Sequence, residues 1–385
     1  MNPLPAMPHT YRLRLPGPVT VPLRVQQACA GAVVNHRGPE FRARMAAIQE
    51  RLQPLVGCSR RLLLFSSTGT GMMEASLVNT CAPGEQVLVC INGQFGERYA
   101  SIARNVGLSV DVFEFPWGSA IAVDQLSDQI RRKDYRAVVV VHNESSTGTV
   151  ADLRAIGEAV RMTNTLLIVD SVSGLGGMPM KQEAWGVDVL VSASQKALMC
   201  PPGLALASLS EKALALVQRE DRFPRFYWDF RRALTAIDEN ETPFTTPVSL
   251  ATGLLEALQM MHEEGLDNVI ERHARLAEAF RRGCVALGFR IFGDPSLLSN
   301  TVVALEVPEG ISGTDIVKRM REQHGTIIAG SRNKLQGRVI RVGTMGDFTL
   351  NDVLIDLSLI EKTLASLGAR VNEGAAVCAA LAVPT

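Results

Sequence analysis

Six of the seven lysines in this chain have a charged neighbour within two positions. Lys133 lies between Arg132 and Asp134, while Lys181, Lys212, Lys318, Lys334 and Lys362 stand close to Glu183, Glu211, Arg319, Arg332 and Glu361. Those six read as solvated surface. Lys196 differs: it is the only charge between Val189 and Ser210, in VLVSASQKALMCPPGLALASLS. Burying an ammonium among apolar residues is costly, and burial pushes a lysine toward its neutral, nucleophilic form. A neutral amine is the requirement for Schiff-base chemistry.

Asp170 is a second isolated charge, the only one from Met162 to Met180. The β-branched and leucine-rich run Thr165–Val169 reads as a strand buried on both faces of a parallel sheet. Asp170 then stands at its C-terminal end, where open α/β sheets bind ligands. Val187–Val191 reads as a second such strand with Lys196 just beyond it, so both charges are expected on one rim. Such a pair fits a structural salt bridge. It equally fits a pyridoxal phosphate site, where the lysine carries the aldehyde and the aspartate keeps the pyridine nitrogen protonated.

Other segments gather on the same predicted rim. Phe65–Ala75, FSSTGTGMMEA, has a strand before it and a helix after it. Small residues at a helix N-terminus leave backbone N–H groups for a phosphate, with Thr68, Gly69 and Thr70 as the contacts. As a dinucleotide fingerprint it lacks the third glycine, and Val89–Gln94 offers no acidic ribose-binding residue. HNESSTG, His142–Gly148, follows the strand Ala137–Val141 and reads as a capped loop or as part of the site. Phe95, between Gly93 and Gly96, reads as a core residue or as a ring stacked on a planar cofactor. Arg338 and Arg341 fit either a surface or, for Arg341, a bidentate grip on a carboxylate.

The elements that must position these residues alternate. The pattern predicts a helix over Phe41–Leu55 stopped by Pro54 and Gly57. It continues through Arg61–Phe65, Met72–Val78, Gln86–Cys90, Tyr99–Asn105, Ala137–Val141, Leu153–Arg161, Leu166–Val169 and Val187–Val191, the signature of a parallel sheet wrapped by helices. Three parts are expected: an extended proline-rich arm over residues 1–20, of a kind that often crosses a partner subunit, a large α/β domain over 21–260 and a smaller α+β domain over 261–385. Within the last, Leu266–Leu287, Thr314–Gln323 and Asn351–Leu367 read as helices, and Thr301–Val307 and Val339–Val342 as strands. The aromatic and arginine-rich run Arg222–Arg232 reads as core and interface, and the Ala-rich last fifteen residues are expected to fray.

Composition limits the remaining classes. Lys+Arg and Asp+Glu are both 39, which removes any electrostatic reason for nucleic acid or anionic membrane as a partner. Seven cysteines without CxxC spacing and six histidines without HxxxH or HExxH spacing signal neither disulfides nor a metal site. No run has membrane-span length and the N-terminal residues lack a signal-peptide core, so the cytoplasm is expected.

STGTGMMEA, NGQFGER, HNESSTG, VDSVSGLGG and SASQKALMCPPG, in this order, resemble the class V aminotransferases of PLP fold type I. Among them the chain is most similar to the alanine–glyoxylate / serine–pyruvate aminotransferase group. The resemblance runs from LPGP at Leu15–Pro18 and NHRGPEF at Asn35–Phe41 to RVGTMG at Arg341–Gly346. It implies a homodimer with shared sites, a large mostly parallel α/β/α domain and a smaller α+β domain. It implies that Lys196 bears the cofactor, Asp170 partners the ring nitrogen and Phe95 stacks on the ring, where relatives commonly have tryptophan. Thr68, Gly69, Thr70 and Gln195 match phosphate positions, Ser145 a hydroxyl near the ring, and Thr245 a phosphate contact from the neighbouring subunit. Thr242 stands where several relatives have tyrosine. Arg341 matches the substrate-carboxylate arginine. The activity implied is amino transfer from a small L-amino acid, of alanine or serine type, to glyoxylate or pyruvate. Aspartate or ureidoglycine is an alternative donor, and His36 and Arg37 fit a substrate pocket or an interface. A desulfurase needs a cysteine on a mobile loop, and Ala329–Arg338 has none.

Overall fold

A computed structural model describes residues 11–219 and 224–384. A seven-stranded sheet runs in the spatial order Leu63–Ser67, Gly203–Leu209, Val189–Ala193, Leu166–Asp170, Ala137–Val141, Gln86–Ile91 and Ser109–Glu114. Only Gly203–Leu209 is antiparallel to its neighbours. The central strands AVVVV and LLIVD are buried at every residue. Helices cover both faces, which is why these strands read as unbroken apolar runs. Ser109–Glu114, at one edge of the sheet, has no fully buried residue instead.

Register carries the site charge into place. Val141 pairs with Asp170, and Asp170 pairs with Val191. Helices pack closely on the sheet and on one another. A Cβ at Gly157 would lie 1.7 Å from the carbonyl oxygen of Trp185, so glycine is what lets helix Leu153–Arg161 approach the short helix Gln182–Trp185.

A second, four-stranded antiparallel sheet follows, in the order Arg290–Ile291, Val302–Glu306, Val339–Gly343, Ala329–Gly330. Helices Leu266–Ala286, Gly313–His324 and Leu350–Ser366 accompany it. Two main hydrophobic clusters result, one drawn from Val25 to Val269 and one from Leu276 to Ala380. Among the described residues no helix is long and apolar enough to cross a membrane.

Two expectations need correction, those for Pro54 and for the chain's end. Pro54 does not stop its helix, which spans Pro39–Val56. A proline in the last turn forfeits one hydrogen bond, and here Leu55 and Val56 bury beyond it while Gly57 closes the helix at φ 71°. The chain's end does not fray: Ala375–Leu381 is a helix with Ala376 and Ala380 buried. Gly283 gives it room, since a Cβ there would lie 3.0 Å from the Ala376 carbonyl. Residues 1–10 of the expected arm lie outside the described residues. The rest of the arm packs on this chain's own C-terminal part, where it forms a small two-stranded sheet and its Arg14 carbonyl accepts from the Gly343 N–H of the second sheet. Arg12–Leu13 pairs in parallel with Thr326–Ile327, and Arg12 and Arg14 form ion pairs with Asp352 and Asp356.

Candidate active site

Asp170 ends its strand with its side chain buried, and Oδ1 accepts a hydrogen bond of 2.8 Å from the Val172 N–H. Burial pushes its carboxyl up to about 6, against the opposing pull of that hydrogen bond and of the charges on Lys196 and Arg98. Lys196 sits in the turn between Val189–Ala193 and Gly203–Leu209. The turn is tied by Met199 N–H to the Lys196 carbonyl at 2.9 Å and by Cys200 N–H to the Ser194 carbonyl at 3.0 Å. Lys196 Nζ donates to the Pro16 carbonyl of the arm. Gly17 beside it has φ 105°, and a Cβ there would lie 2.5 Å from Nζ. Glycine is thus required both by backbone conformation and by the passage of the lysine. Burial lowers Lys196 to about 8; Asp170 opposes the shift, and Arg341 and Arg98 add to it.

Both charges open on one cavity of about 180 Å³, whose walls also include Thr68, Gly69, Thr70, Phe95, Ser145 and Gln195. Thr68 caps helix Gly69–Thr80 through its side chain, accepting from the Gly71 N–H. The N–H groups of Gly69 and Thr70, in the first turn, have no intrahelical acceptor. Phe95 is the second residue of helix Gln94–Asn105 and only partly buried. Gln195 Oε1 and Asn143 Oδ1 are buried without a partner among the described residues. Donors for a phosphate, an acid for a ring nitrogen, a flat ring and a desolvated amine therefore fit pyridoxal phosphate.

Arg341, on strand Val339–Gly343 of the second sheet, does not itself line this cavity but is bonded to Ser145, which does. Its Nη1 donates to the Ser145 carbonyl at 3.0 Å and its Nη2 to the Gly330 carbonyl at 2.8 Å. Nε is buried and unpartnered among the described residues. Arg338, by contrast, faces solvent and pairs with Glu306.

A family model of the class V aminotransferases matches residues 24–353. The chain belongs to the class V aminotransferases. It is 35% identical to a protein named soluble hydrogenase, small subunit, of Synechococcus sp. (strain PCC 6716), over 96% of this chain and 97% of that one. It is 34% identical to a serine–glyoxylate aminotransferase of Methylorubrum extorquens, over 97% and 96%. The crystal structure of ureidoglycine–glyoxylate aminotransferase from Bacillus subtilis superposes with a TM-score of 0.91 at 31% identity, covering 97% of each chain. The protein is accordingly a PLP-dependent aminotransferase of fold type I.

Not every expected residue reaches the cavity of this aminotransferase. Thr245 lines a separate shallow cleft with Tyr227, Thr242 and Phe244. Thr242 Oγ1 donates to the Phe244 carbonyl at 2.8 Å. Arg37 is exposed and pairs with Glu241, and neither it nor His36 lines the cavity. Among the described residues no cysteine lines the cavity, and no three His, Cys, Asp or Glu side chains could together hold a metal.

The cavity also recruits residues that the motifs did not single out. Arg98 stacks on Phe95, with Cζ 4.5 Å from the ring centroid, and donates to Thr70 Oγ1 at 3.0 Å. It stands at the end of the quoted motif NGQFGER, which was the available signal. Asn143 and Ser173 are cavity residues bonded to each other, Nδ2 to Oγ at 2.9 Å. Both stand inside motifs already quoted, HNESSTG and VDSVSGLGG, which was the available signal. Glu144 is wholly buried beneath Phe95, and nothing local to it announces partners some fifty residues away.

Proposed function

We propose that this aminotransferase moves the amino group of a small L-amino acid, of alanine or serine type, to a 2-oxo acid such as glyoxylate or pyruvate. The reading is carried by the meeting of Lys196 and Asp170 on one cavity, beside a helix N-terminus with free N–H groups. Glyoxylate is favoured as acceptor because it is named for both the serine- and the ureidoglycine-dependent relatives. Ureidoglycine is the second candidate donor, on the likeness to the Bacillus subtilis structure.

Each residue has a defined task in this reading. Thr68, the Gly69 and Thr70 N–H groups and Gln195 hold the cofactor phosphate, with Thr245 of the partner subunit in a homodimer. Phe95 covers one face of the ring, Ser145 faces it, and Asp170 keeps the ring nitrogen protonated. When bound, pyridoxal phosphate supplies an electron sink at the substrate Cα and stores the amino group between half-reactions. Arg341 grips the substrate carboxylate, exchanging or adding to its bonds with the Ser145 and Gly330 carbonyls. Lys196 Nζ takes the proton from the donor Cα and later returns one to the acceptor. Its value of about 8 leaves about a tenth of it neutral at pH 7, and a positioned base of this kind is worth roughly 10²–10⁴ in rate. Seven free thiols support a reducing compartment, and we assign the enzyme to the cytoplasm.

The visible absorption spectrum, with alanine added and no oxo acid present, tests this function. The expected result is a yellow band that gives way stoichiometrically to a near-ultraviolet one. A band unmoved by alanine, serine, aspartate or ureidoglycine would overturn the donor assignment. A protein that takes up no pyridoxal phosphate at all would overturn the whole reading.

A further inference from the structure

Two helix N-termini face the cofactor cavity, and only one is open. Helix Gly69–Thr80 presents its first N–H groups to the cavity, whereas helix Gln94–Asn105 has every one of its own occupied. Glu144 Oε2 accepts from the Phe95 N–H at 2.9 Å and from the Gly96 N–H at 3.2 Å. Ser146 Oγ accepts from the Gln94 N–H at 2.9 Å and itself donates to Glu144 Oε1, which also takes the Ser146 N–H at 3.1 Å. The Glu97 N–H returns to the Gly93 carbonyl. A carboxylate from a loop fifty residues away thus caps this helix, and an anion there is favoured by the helix dipole.

Only a residue without a side chain at position 93 leaves room for this carboxylate. Glu144 is fully buried, and a Cβ at Gly93 would lie 2.3 Å from its Cγ and 2.6 Å from Ser146 Oγ. The neighbouring carbonyl, that of Ser145, receives Arg341 Nη1, so one loop seats both the aromatic-bearing helix and the carboxylate-gripping arginine. The negative charge of Glu144 also lies close enough to Arg341 to stabilise the guanidinium.

We propose that Glu144 is a positioning residue for transamination. Its buried carboxylate fills the N-terminus of the Phe95 helix, holds Phe95 at the ring, and leaves the Gly69 helix as the seat for the phosphate. This rests on the functional reading above. Removing the charge weakens the cap on this helix and lets Phe95 drift. It also removes a counter-charge from Arg341, so substrate carboxylate binding does not weaken.

The test is Glu144→Gln, with bound cofactor followed by visible circular dichroism and turnover by steady-state kinetics. We expect the visible dichroism to fall by about half or more and kcat to fall by about tenfold or more, with the donor KM unchanged or lower. A role in folding alone lowers the melting temperature and leaves dichroism and kcat per folded molecule untouched, and that result overturns the proposal. Should E144Q not accumulate as folded protein, Ser146→Ala decides. It keeps the charge but removes the bridge to Gln94, and is expected to lower both readouts to a smaller extent; unchanged readouts overturn the proposal. Wild-type protein that binds no pyridoxal phosphate fails the functional reading itself, whereas wild-type dichroism equal to that of E144Q fails only this inference.

Discussion

Burial drives Lys196 and Asp170 in opposite directions on the pH scale, toward the neutral form of each. Lys196 falls from 10.5 to about 8, so its ammonium form weighs against the fold below pH 8, and that penalty disappears as pH rises from 8 toward 10.5. Asp170 rises from 3.8 to about 6. Its protonated form favours the fold, fully so below pH 3.8, and that contribution is lost as pH climbs through 6. Because capture of an aldehyde needs the free amine, the rate of pyridoxal phosphate uptake by the apo-protein should climb from pH 6 and level off above about 8. In Asp170→Asn the midpoint should move down, since Asp170 is the charge that holds the ammonium up. Stopped-flow absorbance reads both curves, and coincident curves would refute the coupling. These two residues were legible in the sequence because each is the lone charge of a long apolar stretch. Arg98 was not, because within NGQFGER only Phe95 stands out by type, and Glu144 was not, because its partners are close only after folding.

The arm is held at the level of elements by four arginine–carboxylate contacts, and Asp356 accepts from both arginines. Asp356 and Arg14 are buried, and burial pushes the Asp356 carboxyl up while Arg14 and Arg12 pull it down. Asp356→Ala leaves Arg14 with Asp352 as its one carboxylate partner. A loss of about 2–4 kcal/mol of stability is expected from urea denaturation, together with slower pyridoxal phosphate capture once Pro16 is released from Lys196. Unchanged stability would mean the arm is held elsewhere. The strand Ala137–Val141 was read from sequence to the residue, since its apolar run ends at polar His142, whereas Val189–Ala193 was read two residues early, as Val187–Val191, because the apolar run around it has no such boundary. The strand Ser109–Glu114, at one edge of the sheet, and helix Val123–Arg131 escaped notice, the strand because none of its residues is fully buried and it carries two acids. Gly203–Leu209 was hidden inside the apolar stretch around Lys196, where a strand running back cannot be told from the turn before it.

For the molecule as a whole, the informative surface is the aromatic patch beside Thr245. Arg222 and Phe223 of that run lie outside the described residues. Phe226 is 65% exposed, stands 5.8 Å from the Phe244 ring and lies under the Arg232 guanidinium. Tyr227 stacks on Phe244 at 5.1 Å. In the proposed homodimer this patch meets the partner, and a two-fold interface counts each ring twice. Phe226→Glu should therefore cost about 3–6 kcal/mol of association and shift the protein from dimer to monomer in sedimentation velocity. Weaker pyridoxal phosphate retention should accompany the shift, because Thr245 would be lost from the neighbouring site. A dimer that persists in F226E would put the interface elsewhere.

The arm also acts as a mechanical linkage. Its Arg14 carbonyl accepts from the Gly343 N–H of the second sheet, and two residues on, its Pro16 carbonyl accepts from Lys196 Nζ. Two peptide units therefore join the strand that carries Arg341 to the amine that performs the chemistry. A displacement of the second sheet relative to the first would therefore be felt, two peptide units away, at the carbonyl that the free amine touches.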